Sequence, residues 1–159
     1  MNPIVELPYS LPGRIYRGRM PFSAKDPDGQ IFSRFQALGV SSVVLLAGRE
    51  ECLARSGRDL PTFYAEHGLD VIHLPIADFS VPDRDALSRA VDAALQRAWA
   101  GEHIAVHCFA GYGRTGMFLA CLARRVFNMT AEAAILWVRE YVPGAVEVAE
   151  QVEVVKRFC

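Results

Sequence analysis

Lysine is nearly missing from this chain. Of its 17 basic residues only Lys25 and Lys156 are lysines, and the rest are arginine. Charge of neither sign prevails: the formal net charge is −1, so the whole-molecule field supplies no pull toward nucleic acid or an anionic membrane. Cysteine is scarce as well. The four present, Cys52, Cys108, Cys121 and Cys159, form no CxxC pair and share no metal-ligand spacing with histidine. This argues against a zinc site or a disulfide framework, and free thiols suit a reducing, cytoplasmic compartment. No apolar run is long enough to cross a bilayer, and the opening MNPIVELPYS lacks the basic-then-apolar pattern of a secretory leader. Internal repeats, low-complexity tracts and linkers are absent. What remains is 159 residues, 52% hydrophobic and 22% charged, which reads as one globular domain over residues 1–159 and is expected to be monomeric.

Periodicity then sorts the chain into elements. Residues 1–30 are rich in proline and glycine and read as largely irregular, with a short strand at 14–17. Helical spacing over 32–38 stops at Gly39, and the β-branched and leucine run 40–46 reads as a buried strand. A polar segment, 49–59, leads to a short helix ending near Gly68, and 70–76 is the next strand. Ser80-Val81-Pro82-Asp83 fits a capping box with proline in the first turn, ahead of an amphipathic helix on Leu87, Val91, Ala94, Leu95 and Ala98. Residues 104–108 form another apolar strand. The run 117–126, apolar nearly all round, is expected to be a central buried helix. Thr130 caps a helix to about Glu140, and Val148, Val152, Val155 and Phe158 mark the last one. Strands alternating with helices predict an α/β sandwich: a mostly parallel sheet of about four to five strands flanked by helices.

One stretch stands out from this scaffold. His107-Cys108 ends an apolar strand, and Arg114-Thr115-Gly116 opens the buried helix, with Phe109, Ala110, Gly111, Tyr112 and Gly113 between. Ligands of open α/β sheets bind at this carboxyl edge. Gly111 and Gly113 allow a tight curl that turns N–H groups inward, and the helix behind contributes its positive end. A thiol in that field is expected to ionise well below the ordinary value of ~8.5 and to act as a nucleophile. Arg114 offers a planar fork matched to two oxygens of a tetrahedral anion, phosphate above all, and to the transition state that follows. Thr115 places a hydroxyl where it could donate to the sulfur, and His107 points back to fix the loop. Each feature alone is common in purely structural settings; their joint spacing is not. No Gly-Lys-Ser/Thr follows, so this is not a Walker loop.

HCFAGYGRTG matches the H-C-x5-R-[ST]-G signature of cysteine-dependent protein tyrosine phosphatases, and the chain resembles their small, atypical dual-specificity members. The looser likeness extends over LPGRIYRGRMP, the VVLL strand, LPIADFSVP, ACLARRVF and VPGAVEVAEQ. The resemblance implies a phosphatase-like single domain and a two-step reaction through a phosphocysteine, without metal or cofactor.

Such a reaction needs a proton donor for the departing oxygen. Asp70 begins a strand, Asp83 partners Ser80 in the capping box, and Asp85 complements the helix dipole. Asp78 stands at a strand end, 30 residues before Cys108, and its IADF context is similar to that of the family's acid. Gln151 resembles a glutamine that orients the water of the second step, although a solvated helix position accounts for it nearly as well. Glu147 and Glu150 read as surface charges. Glu50 or Glu51 could brace Arg114, with a solvated acidic turn as the plainer account. Phe109 and Tyr112 read as packing, Phe79 as either core or a flank for an aromatic leaving group, and Trp99 and Trp137 as core. A regulatory disulfide from Cys108 to Cys52 or Cys121 stays open.

The loop's intervening residues are uncharged, whereas phosphoinositide phosphatases of this kind tend to carry lysines there. Arg14, Arg17, Arg19 and Arg49 could supply charge from elsewhere. The favoured substrate is therefore a phosphotyrosyl protein or peptide, with phosphoserine or phosphothreonine second. The rivals are a phosphoinositide or inositol-phosphate phosphatase, a catalytically silent phosphate-binding module, and a rhodanese-like sulfurtransferase.

Overall fold

The computed structural model describes residues 2–158; Cys159 lies outside them. Five strands form one sheet in the order β1-β2-β5-β3-β4, where β1 is Val5–Leu7, β2 Ile15–Arg17, β3 Val40–Leu45, β4 Asp70–His73 and β5 His103–His107. Only the β1–β2 pair is antiparallel. The fold is the expected α/β sandwich with a mostly parallel sheet.

Alternation along the strands divides the core into two layers. Val44, Leu46, Ile104 and Val106 face a cluster built on α4 (Arg84–Trp99), α5 (Gly113–Phe127), α6 (Ala131–Tyr141) and α7 (Ala149–Arg157). Val43, Leu45 and Ala105 face the other, built on α1 (Gln30–Ala37), α2 (Arg49–Ser56) and α3 (Leu60–Glu66). Helix α5 fills the centre of the first layer. Every residue from Gly113 to Ala123 is buried, as its nearly unbroken apolar sequence requires.

Four expectations need amendment. The first 30 residues are largely irregular and carry the expected strand as β2, but a second strand, β1, joins it, and buried Asp26 accepts from the N–H groups of Phe22, Gln30 and Ile31 to start α1. Polar residues 49–56 form α2, which buries only Cys52 and so gave no apolar stripe to detect. Ser80 caps nothing. Asp83 is the N-cap of α4 and accepts from Ala86 N–H, leaving residues 80–82 in the loop; Pro82 disfavours helical geometry in the residue before it. Trp99 is 61% exposed and is not core, whereas Trp137 packs on Tyr9, Phe127 and Tyr141.

These layers place the loop after β5 at the centre of the sheet's carboxyl edge, between β2 and β3. Beyond β4, Leu74 and Ile76 still donate to the carbonyls of Leu45 and Leu46. That extension carries Asp78 to the same edge.

Candidate active site

At the end of β5, His107 is fully buried and held from both sides. One ring nitrogen, Nδ1, lies 2.8 Å from the Cys108 carbonyl oxygen and so must carry the proton; the other, Nε2, accepts from Tyr64 Oη at 2.7 Å. Burial pushes the imidazole down to about 4, so it stays neutral at physiological pH. Tyr64, pushed well up by burial, remains a donor. It is a supporting residue that no motif announced, carried by α3.

The sign of the pH dependence follows. An unfolded histidine takes up a proton below about pH 6.5, while this one resists until about pH 4. Stability is therefore full above pH 6.5 and falls as the solution is acidified toward pH 4, by about 3 kcal/mol in all. Urea melts at pH 7.5 and 5.0 check this. His107→Asn, which keeps a donor toward the Cys108 carbonyl, should flatten the difference; an unchanged slope would assign the acid sensitivity elsewhere.

From Cys108 to Tyr112 every backbone carbonyl is claimed from outside the loop. The Cys108 oxygen takes His107 Nδ1, and that of Phe109 takes Met20 N–H at 2.9 Å. Ala110 and Gly111 accept from Arg17, through Nη2 at 3.1 Å and Nε at 2.9 Å. Tyr112 accepts from the N–H groups of Gly116 and Val146, both at 3.0 Å. In a planar trans peptide the N–H points opposite to its carbonyl. The N–H groups of residues 109–113 are thereby turned inward, away from those partners, as an anion nest requires, with the amino end of α5 behind them.

Two glycines make this curl feasible. Gly111 has φ +85°, and a side chain there would sit 2.7 Å from the Gly18 oxygen and 2.8 Å from Arg17 Nε. At Gly113 a Cβ would lie 2.6 Å from Glu147 Oε1 and 3.0 Å from Gln151 Nε2. Arg17, named from the sequence as a cation that could lend charge to the loop, is instead fully buried and spends its donors on the loop's carbonyls. The only signal of that role was a charged residue in an apolar strand, RIYR.

Arg114, 2% exposed, is fixed by carboxylates. Its Nη1 donates to Glu51 Oε1 at 2.7 Å and to the Ile76 oxygen at 2.8 Å, and its Nη2 to Glu51 Oε2 at 2.9 Å. Asp78 Oδ1 stands 3.2 Å from the same Nη2. Burial works against the cation, but hydrogen bonding to Glu51 and the charges of Cys108, Glu51 and Asp78 outweigh it and raise the guanidinium above its ordinary value. Burial alone would raise Glu51; Arg114 and then Arg55 reverse that and hold its carboxyl below the usual range. Of the two readings of this acidic turn, the bracing one is what the structure shows, and Glu51 is the brace.

The remaining candidates divide. Gln151 is fully buried, its Oε1 locked by the N–H groups of Glu147 and Val148, so that Nε2 faces Gly113. Thr115 is buried, but its hydroxyl makes no hydrogen bond among the described residues, so the expected bond to the sulfur is not formed. Phe109 lies under the Arg55 guanidinium at 3.7 Å, and Tyr112 meets Arg17 and hydrogen-bonds Arg19. Phe79 is 59% exposed beside Asp78 and is not core. Glu147 is exposed, as a surface charge is, with one carboxylate oxygen near Gly113. Cys52 and Cys121 are buried thiols pushed up by burial to about 11 and about 12, so both stay protonated at neutral pH. Arg14 and Arg49 pair with Glu6 and Asp59 and bring no charge to the loop. A cavity of about 420 Å³ lies behind the acid loop, between α4 and α7, and does not include Cys108.

Among the described residues, buried side-chain donors and hydroxyls without a hydrogen-bond partner cluster here: Arg114 Nε, Thr115 Oγ1 and Gln151 Nε2, with Arg19 Nε beside Tyr112. Buried polar groups are rarely left unpaired. Together with the inward N–H groups they form a set of donors suited to an acceptor-rich anion.

Comparison with known proteins settles the lineage. A family model named Tc-R-P, "Polymorphic toxin system, DSP-PTPase phosphatase", matches residues 24–126. The chain belongs to the cysteine-dependent protein tyrosine phosphatase superfamily. It is 40% identical over 83 residues to the human dual specificity protein phosphatase CDC14C, covering 52% of this chain and 18% of that protein. It is 29% identical over 145 residues to the phosphatidylglycerophosphate phosphatase PTPMT1 of Arabidopsis thaliana, covering 91% of this chain and 40% of that one. The chain thus spans less than half of either relative's length.

Among solved structures, Tk-PTP in its active form superimposes with a TM-score of 0.76 at 29% identity, over 92% of this chain and 91% of that one. Kinase associated phosphatase with its catalytic site cysteine changed to serine shares the fold, with a TM-score of 0.87 at 21% identity over 98% and 92% of the two chains. In this phosphatase-superfamily member the signature cysteine and arginine flank the nest, and Asp78 reaches the arginine from a separate strand end.

Proposed function

We propose that this chain is a phosphomonoester hydrolase acting through a phosphocysteine, with phosphotyrosyl proteins as its substrates. The observation that carries the reading is the set of unpartnered buried groups and inward N–H groups around Cys108. A phosphate seated there supplies their missing acceptors and presents phosphorus to the sulfur. Cys108 Sγ attacks phosphorus, the ester P–O bond breaks, and the departing oxygen takes a proton from Asp78. Arg114 and the nest hold the charge that builds on the equatorial oxygens. Water then attacks the phosphocysteine, the P–S bond breaks, and Asp78 receives the water's proton, with Gln151 Nε2 placed to orient that water. Neither step calls for a metal or cofactor.

Uncharged loop side chains and the exposed ring of Phe79 beside Asp78 favour an aryl ester such as phosphotyrosine. A phosphoinositide reading has two observations in its favour: Arg55 and Lys25 both lie over Phe109 at the loop, and one relative is named a phosphatidylglycerophosphate phosphatase. The test is to mix enzyme with ³²P-phosphotyrosyl peptide, quench with acid and map the label. Label on the peptide containing Cys108, with phosphate released faster from phosphotyrosyl peptide than from phosphoinositides, is the expected result. Label absent from every cysteine would overturn the mechanism; faster release from lipid would overturn the substrate.

A further inference from the structure

The acid loop and the nucleophile loop are joined by a side chain that no motif marks. Arg55 lies on α2, one turn after Glu51. Its Nε stands 3.2 Å from Glu51 Oε2, and its Nη2 3.5 Å from Asp78 Oδ2. Its guanidinium carbon lies over the Phe109 ring, 3.7 Å from the centroid. Since Glu51 and Asp78 also both reach Arg114, four side chains close a ring of alternating charge: Arg114, Glu51, Arg55, Asp78. Phe109, the residue after the nucleophile, is the platform under it.

The ring bears on catalysis because of how Arg114 is shared. Asp78 Oδ1 stands 3.2 Å from Nη2 as an ion pair, on the donor a phosphate would use alongside Nε, which has no hydrogen-bond partner among the described residues. When phosphate takes that donor, Asp78 loses its strongest tether. Of the partners recorded for its carboxylate, what remains is Arg55 on Oδ2 and the Phe79 N–H on Oδ1. Phe79 itself sits at φ +59°, a conformation that non-glycine residues seldom hold unaided.

Resting on the phosphatase reading above, we propose that Arg55 is the positioning residue for the general acid: it holds Asp78 over the loop when phosphate displaces it from Arg114. Two carboxylates and an aromatic face already claim the guanidinium, so it serves the acid rather than a charge on the substrate. Lysine would keep the charge but not the planar group over Phe109.

The test compares phenyl phosphate, whose leaving group needs the proton, with 2,4-dinitrophenyl phosphate, whose leaving group does not. Arg55→Ala is expected to lower kcat/KM, which reports the first step alone, about tenfold on phenyl phosphate, a part of the 10²–10⁴ that a general acid contributes, while kcat/KM for the activated ester falls less than about twofold. Arg55→Lys should recover part of the loss, and Arg55→Ala added to Asp78→Asn should cost nothing further. Equal losses on both esters, losses additive with Asp78→Asn, or a change confined to KM for phosphoinositides would each overturn the assignment. A wild type inactive on both esters would overturn the phosphatase reading along with it, so the two failures are told apart. Arg55 is exposed, and thermal melts of each variant exclude misfolding as the cause.

Discussion

Serine in place of Cys108 should reduce para-nitrophenyl phosphate turnover on the order of 10⁵-fold, to background, in a protein that still folds and still binds phosphate esters. The chemistry of the loop makes the loss nearly total. The nucleophilic form of a cysteine is the thiolate, which needs no base once formed. A serine would need one at the moment of attack, when Asp78 carries the proton for the departing oxygen and no other base stands at the loop. The adjacent histidine spends Nδ1 on the Cys108 carbonyl and Nε2 on Tyr64. Gln151 faces the loop with its amide nitrogen, a donor. The binding surface, by contrast, consists of backbone N–H groups and Arg114, neither of which the exchange removes. With EDTA throughout, the assay also tests whether the reaction proceeds without a divalent ion. The expected pattern is no turnover and near-wild-type affinity for a phosphotyrosyl peptide by calorimetry. Persisting turnover would place the nucleophile elsewhere, and no activity even in folded wild type would leave the nest as a binding module.

Which parts of this arrangement could be read from the chain alone has a physical explanation. The loop and its flanking elements were legible because their signals are local: an apolar strand, two glycines and a long apolar helix lie consecutively from 103 to 127. The parts not legible rest on contacts between distant segments. Strand β1 is three residues long and exists because it pairs with β2. Arg17 looked like a spare cation for the substrate, yet it is fully buried and gives its donors to the carbonyls of Ala110 and Gly111. Glu51 sits in a segment with no apolar stripe, so nothing on its own helix distinguished it from Glu50. Only the approach of α5 does, because it brings Arg114 within 2.7 Å of one carboxylate. Ser80 went wrong for the opposite reason, a local pattern overruled by its own proline.

Arg114→Lys should lower kcat about 10³-fold while barely moving the melting temperature, and that dissociation is the sharper test of the site. Loss of one donor at a developing oxyanion typically costs 10²–10³, and this exchange removes a bidentate fork. The arithmetic of donors shows why lysine fails. Arg114 carries five N–H groups. Its Nη1 pair goes to Glu51 and Ile76, and one Nη2 hydrogen goes to Glu51, while Asp78 faces Nη2 as an ion pair at 3.2 Å without a hydrogen bond. The Nε–H has no partner among the described residues. A phosphate can therefore take Nε and the Asp78-facing hydrogen of Nη2 while Glu51 keeps its grip. An ammonium has three donors on one atom. It can stay with Glu51 and the Ile76 carbonyl, which preserves the fold, but it cannot also span two phosphate oxygens in one plane. Arg114→Ala differs in kind, since it strands the Glu51 carboxylate in a partly buried position and should cost about 2 kcal/mol of stability as well as activity. If lysine and alanine proved equally destabilising, the Glu51 brace would not be what holds the loop. If lysine retained more than a tenth of wild-type kcat, charge alone would suffice at this position and the geometric role of the fork would fall.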